Sequence, residues 1–149
     1  MRTRKFTITY FILLLLLLAS CKKTKPAPEY RVVKAKDGYV TIAIDSLEDR
    51  VSLFTYKYKG QNINFMIIRF SPERIETYLD ADYLCYKDKL GFKAEADRLI
   101  CVHHGFSFDL NHPESWRGNH VPIPLNSIRD DGFIKIKEEL LKKAYRFFR

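Results

Sequence analysis

The sequence predicts a mainly β fold, a small β-barrel or sandwich with one short C-terminal α-helix. Three observations carry that prediction. β-branched and aromatic residues recur in short runs bounded by turn residues, several of the runs alternate apolar with polar positions, and only the stretch from Glu138 onward changes to helical spacing. At 149 residues the chain supplies one domain at most.

The first twenty residues stand outside that domain. Arg2, Arg4 and Lys5 precede an apolar run from Tyr10 to Leu18, and Leu18-Ala19-Ser20-Cys21 follows. A run this short between such flanks reads as a signal peptide over residues 1–20, not as a spanning helix. The Leu-Ala-Ser-Cys sequence resembles a bacterial lipobox. That resemblance implies cleavage before Cys21, acylation of its thiol, and membrane lipid as a partner. Residues 21–30 then form the lipidated cysteine and an extended tether, with Pro26 and Pro28 and no apolar periodicity. Lys22, Lys23 and Lys25 lie where each gains on the order of 1 kcal/mol at an anionic surface. The expected location is the bacterial cell envelope, with the chain lipid-anchored and facing the periplasm or exterior.

Residues 31–149 form the single β domain. Strand-like runs cover Tyr39 to Ile44, Val51 to Tyr58, Ile63 to Phe70, Ile75 to Leu79, Phe92 to Ala96 and Leu99 to Val102. Lys59-Gly60-Gln61-Asn62 supplies the turn of a hairpin, and Asp130-Asp131-Gly132 a turn before Phe133 to Ile136. Glu138 to Phe148 lacks glycine and proline and places Leu140, Ala144 and Phe147 or Phe148 on one side, as an amphipathic helix covering the sheet does. The runs starting at Val40 and Phe133 echo each other, which does not establish a repeat.

Charge narrows the function classes. The leader carries three basic residues and no acids, so cleavage lowers the formal net charge from +8 to +5. An exported chain meets little nucleic acid, so none is expected as a partner despite the basic balance. No P-loop, dinucleotide fingerprint or Cys-x-x-Cys-His haem site occurs. Ser107, His104 and Asp109 supply hydrolase residue types, but no nucleophile elbow surrounds the serine.

The chemistry concentrates in one region. Cys85, Cys101-Val102-His103-His104-Gly105 and His120 ahead of Pro122-Ile123-Pro124 hold two of three cysteines and three of four histidines. With Cys21 assigned to lipid, Cys85 and Cys101 are the thiols left in an oxidising compartment. Leu99-Ile100 should lead Cys101 out of a buried strand, and Gly105 allows a tight turn. A Cys-x-x-His turn brings both donors to one ion. Asp82 is a candidate oxygen donor, His103 a spare ligand, and Trp116 and Arg117 candidate shields against water; His112 reads as exposed.

The order Val51-Ser-Leu-Phe-Thr-Tyr, Ile63-Asn-Phe-Met-Ile-Ile-Arg, Tyr78-Leu-Asp-Ala-Asp-Tyr-Leu-Cys85, Gly91-Phe-Lys-Ala-Glu, Arg98-Leu-Ile-Cys101, Pro122-Ile-Pro-Leu125 and Asp131-Gly-Phe-Ile-Lys-Ile136 resembles the FtrD-like family of membrane-associated iron–sulfur proteins. The similarity covers roughly residues 40 to 148. It implies a small envelope-facing redox domain linked to iron transport. The family's pattern has two Cys-x-x-Cys pairs and a further cysteine before Pro-x-Pro-Leu. This chain keeps Cys85 and Cys101 and has Asp82, His104 and His120 at the other three positions.

Cys101-Val-His-His104-Gly105-Phe-Ser-Phe108-Asp109 is also similar to the second binding loop of Rieske proteins, while the first loop's Cys-x-His is replaced by Tyr83 and Cys85. A Rieske centre has two cysteines and two histidines, one pair on each iron. Cys85, Cys101, His104 and His120 give that stoichiometry in another arrangement.

Three readings stay open at this level. The four residues hold a metal centre, either a [2Fe-2S] cluster or a single Zn or Cu ion; or Cys85 and Cys101 form a disulfide in a cofactor-free binding or structural lipoprotein; or both thiols are simply buried. The first makes the chain an electron carrier or metal-binding protein, not an enzyme. It then works with an envelope redox or metal-transport protein.

Overall fold

The computed structural model describes residues 29–149, so the signal peptide, Cys21 and the tether through Pro28 lie outside the described residues. Ten strands and one helix follow in order: β1 (Arg31–Val33), β2 (Tyr39–Ala43), β3 (Val51–Tyr58), β4 (Gln61–Arg69), β5 (Ile75–Leu79), β6 (Phe92–Glu95), β7 (Arg98–Cys101), β8 (Ser107–Asp109), β9 (Ile128–Asp130), β10 (Phe133–Lys137) and α1 (Glu138–Ala144). They form three sheets, in strand orders β1-β3-β4-β5, β2-β10-β9 and β6-β7-β8, and none closes into a barrel. The sandwich alternative is therefore the one realised, in three layers.

The β3–β4 hairpin makes the central layer. Tyr58 pairs with Gln61 across Lys59 and Gly60, whose φ values of 48° and 75° are those of a two-residue turn with both central residues left-handed. β4 then buries both its faces. Ile63, Phe65 and Ile67 join one apolar core with Val40, Ile42, Ile134 and Ile136 of the β2–β10 sheet and Leu141 of α1. Met66 and Ile68 join a second core with Phe92, Leu99, Cys101 and Phe108 of the β6–β8 sheet and with Trp116. Alternation along a strand sends successive side chains to opposite faces, so one strand feeds both cores.

The echo between the Val40 and Phe133 runs has a physical basis. β2 and β10 are antiparallel partners, with Val40 opposite Ile136 and Ile42 opposite Ile134. Two strands on the same layer with the same buried face need the same alternation. The turn before β10 is again Asp131-Gly132, with φ values of 44° and 78°.

α1 is shorter than the expected Glu138 to Phe148 helix, because its last turn tightens into 3-10 geometry over Tyr145–Phe147. Its buried residues are Leu141 and Ala144, with Phe148 beyond the helix, while Leu140 and Phe147 are only partly buried. The expected stripe was thus one position off at Leu140. Glu138 and Glu139 open the helix and Lys142 and Lys143 close it, each matching the local end of the helix dipole. The Tyr56 hydroxyl donates to the Glu138 carboxylate, fastening the helix start to β3.

Candidate metal centre

The site lies where three loops meet at the edge of the second core. The first leaves β5. Asp82, 2 % exposed, turns its Oδ1 back to accept the amide hydrogens of Leu84 at 2.7 Å and Cys85 at 2.5 Å. An Asx-type turn of this kind replaces the hydrogen bonds the strand no longer provides and fixes where the Cys85 thiol points. A 3-10 turn over Tyr86–Asp88 continues the loop, and Phe147 packs edge-on against both Tyr83 and Tyr86, so the C-terminus braces it.

The second loop follows β7. Cys101 ends that strand in a buried position, its amide donating to the Phe106 carbonyl and its carbonyl accepting from Gly105. Gly105 has a φ of 72°, which permits the tight reversal. Both features agree with the sequence reading, and they place His104 over the Cys85 thiol.

The third loop supplies His120. Residues after it run beside β5 with three backbone bonds: the Leu79 amide to the Ile123 carbonyl, the Ile123 amide to the Ala81 carbonyl, and the Leu125 amide to the Thr77 carbonyl. Pro122 and Pro124 lack the amide hydrogen, so this stretch pairs through alternate residues only. The pairing sets His120 opposite the Asp82 turn.

Cys85, Cys101, His104 and His120 therefore converge, with one ligand atom of each within 4.8 Å of all the others. Cys85 Sγ is 3.0 Å from His104 Nδ1, 3.4 Å from His120 Nδ1 and 3.8 Å from Cys101 Sγ. Both cysteines are free thiols. Burial pushes the Cys85 thiol up to about 12, helped by its hydrogen bonds with Cys101 and Asp82. Metal uptake must displace such protons, so binding releases them.

Asp82 stands beside the four donors and not among them. Its Oδ2 is 3.5 Å from Cys101 Sγ and 3.8 Å from His120 Nδ1. Burial pushes its carboxyl up, but the amides of Cys85 and Leu84 and both thiols outweigh that and hold it below the usual carboxylate range. A cavity of about 280 Å³ opens next to Cys85, lined in part by Asn64, Asp80, Asp82, Tyr86 and Phe147.

The remaining candidates are not among the four donors. His103 is part-exposed and contacts Asp88 at 3.2 Å, and its ring packs edge-on against that of His104 with centroids 4.2 Å apart, so it flanks the donor set without belonging to it. Trp116 belongs to the second core, against Phe70, Tyr78 and Phe108, with its indole N–H donating to the Asp109 carbonyl. Arg117 donates to the carbonyls of Glu114 and Trp116. Trp116 shares the apolar cluster that contains Cys85 and Cys101, where packing accounts for it. The Asp109 carboxylate accepts from the Asn111 amide while His104 faces Cys85, so the hydrolase residue types do not assemble. His112 is exposed, as expected.

Two features escaped the sequence reading. Phe106 stacks on the His120 ring at 4.4 Å with 24° between planes, although it is itself 51 % exposed. Asp80, two residues before Asp82, accepts the Tyr30 hydroxyl at 2.5 Å and the Phe92 amide at 2.7 Å. A Cβ at Gly91 would lie 2.4 Å from that carboxylate, so glycine is required there by close approach as well as by its φ of 60°. No local pattern announces either feature, since both depend on loops far apart in sequence.

Compared with known protein families, residues 47–148 match the profile described as membrane iron-sulfur containing protein, FtrD-like. Comparison with curated proteins and with solved structures gives no match. No helix among the described residues is long and apolar enough to cross a membrane.

Proposed function

The chain belongs to the FtrD-like family of membrane iron–sulfur containing proteins, and from that premise we propose a lipid-anchored metal-centre protein of the cell envelope. Cys85, Cys101, His104 and His120 are its ligands, and it handles electrons or metal together with an envelope redox or metal-transport protein. Lipid on Cys21 is the anchor, consistent with a membrane family and a domain without a spanning helix among its described residues. The observation that carries the reading is the convergence of two thiols and two imidazoles from three loops within 4.8 Å. Thiolate plus imidazole suits a [2Fe-2S] cluster or one Zn or Cu ion.

The test is the metal content of the chain extracted from membranes without chelators, measured together with its absorption spectrum. Wild type retains metal in stoichiometric amount and Cys101→Ser loses it. Metal-free wild type, prepared with reductant and supplied with metal, would defeat the proposal if it still bound none. The cofactor-free reading has one observation in its favour: buried free thiols 3.8 Å apart can close to a disulfide when oxidised. On that reading thiol titration finds neither cysteine free in the exported protein.

A further inference from the structure

Two kinds of metal group place different demands on four donors. In a [2Fe-2S] cluster with two protein ligands on each iron, a donor has one neighbour across its own iron and two on the other iron. Those two lie beyond the iron–iron axis, with all ligands pointing outward from it. Every donor must therefore be near one other and far from two. A single tetrahedral ion makes all six separations short. With bonds of about 2.3 Å to sulfur and about 2.0 Å to nitrogen, the sulfur–sulfur edge is about 3.8 Å and the sulfur–nitrogen edge about 3.5 Å.

Cys85 Sγ decides between them. It is near three donors at once, at 3.0, 3.4 and 3.8 Å, and whichever residue is taken as its partner on one iron, the other two are too close to belong to a second. No 2 + 2 division of these residues fits a [2Fe-2S] cluster. The thiol–thiol separation of 3.8 Å is the edge of a single-ion tetrahedron.

We infer that Cys85, Cys101, His104 and His120 enclose one divalent ion of the zinc class per chain and no bridging sulfide; this rests on the metal-centre reading above. Tetrahedral S2N2 donor sets suit Zn2+. Against two thiolates and the Asp82 carboxylate beside them a dication leaves one net negative charge and a monovalent ion two, next to cysteines that are 7 % and 1 % exposed, so the dication is the better match. Four protein donors fill the shell and leave no open position for a substrate. Of the two roles offered above, the inference selects metal handling or metal-dependent architecture over electron transfer, because Zn2+ has no redox chemistry.

The test uses the full chain, extracted in detergent and kept reduced and anaerobic, so that a cluster has every opportunity to survive. Metal and acid-labile sulfide are quantified per chain, the metal-free protein is offered iron with sulfide in parallel with Zn2+, and Co2+ is titrated as a spectroscopic stand-in. The expected result is one Zn2+ per chain without sulfide, together with the ligand-field bands of tetrahedral cobalt thiolate. Those bands vanish in Cys101→Ser. In His104→Ala and His120→Ala, the first at an exposed and the second at a part-buried side chain, both checked for folding by circular dichroism, Zn2+ affinity falls by more than the roughly 10–100-fold lost with an outer hydrogen-bond partner. Two irons and two sulfides per chain would overturn the inference while leaving the metal centre standing. A reduced protein that takes up neither Zn2+, Co2+ nor a cluster would remove the metal centre itself.

Discussion

Asp82, a candidate oxygen donor by residue type, does mechanical work: one oxygen holds the amides of Leu84 and Cys85 while the other faces Cys101 and His120. Asp82→Ala frees those amides and lets the thiol wander, so metal affinity should fall about 10–100-fold. Asp82→Asn keeps an acceptor oxygen and should retain most of it. Competition with a chelator of known affinity measures both, and equal losses in the two variants would show that charge, not the turn, is what matters. Asp80 makes a second prediction. Burial raises its carboxyl above the ordinary value of 3.8, against the pull of the Tyr30 hydroxyl and Phe92 amide. A raised folded-state value means that the folded protein holds this proton more tightly than the unfolded chain. Its contribution is fully present below the ordinary value and is lost as pH rises through the folded one. As pH rises from below the ordinary carboxyl value through the raised folded one, the denaturant midpoint of wild type should therefore decline relative to that of Asp80→Asn, measured metal-free; parallel curves would contradict it.

At the scale of elements, the helical tail serves two ends. Leu141, fully buried, ties α1 to the first core, and Phe147 ties the tail to the rings on either side of Cys85. Leu141→Ala should lower global stability by about 2–5 kcal/mol. Phe147→Ala should change stability less and metal retention more, as chemical denaturation and chelator competition on the same samples would reveal. The strands with strong alternation were legible beforehand: β2 through β7 and β10 lie at the expected places within a few residues. β1, β8 and β9 were not, because each is three residues long and draws its position from a neighbour. Arg31–Val33 is a strand only because it lies parallel to Phe54–Tyr56. The four donors were legible as a cluster from residue type and from the resemblance. Their mutual distances were not, since these depend on the backbone pairing of residues 123 and 125 with β5 and on the Asp82 turn.

At the scale of the molecule, Cys85 and Cys101 both belong to the second core, and among the described residues the first core has no cysteine. A metal on Cys85 and Cys101 thus supports the layer of β6, β7 and β8, while β2, β10 and α1 have their own apolar packing. Removing metal should speed amide hydrogen exchange in β6–β8 and leave Val40, Ile42, Ile134 and Ile136 protected. Uniform acceleration throughout would mean that the two layers unfold as one. The Tyr30 hydroxyl on Asp80 also has a consequence for reach. It pins the chain at its entry to the domain, and nine covalent steps separate Tyr30 from Cys21. At full extension these span about 30 Å. If Cys21 carries the proposed lipid, the membrane leash ends on the same loop that carries Asp82 and Cys85. A protein exchanging metal with this site must then work within a few nanometres of the lipid surface, where its own height above the membrane becomes a criterion of selection.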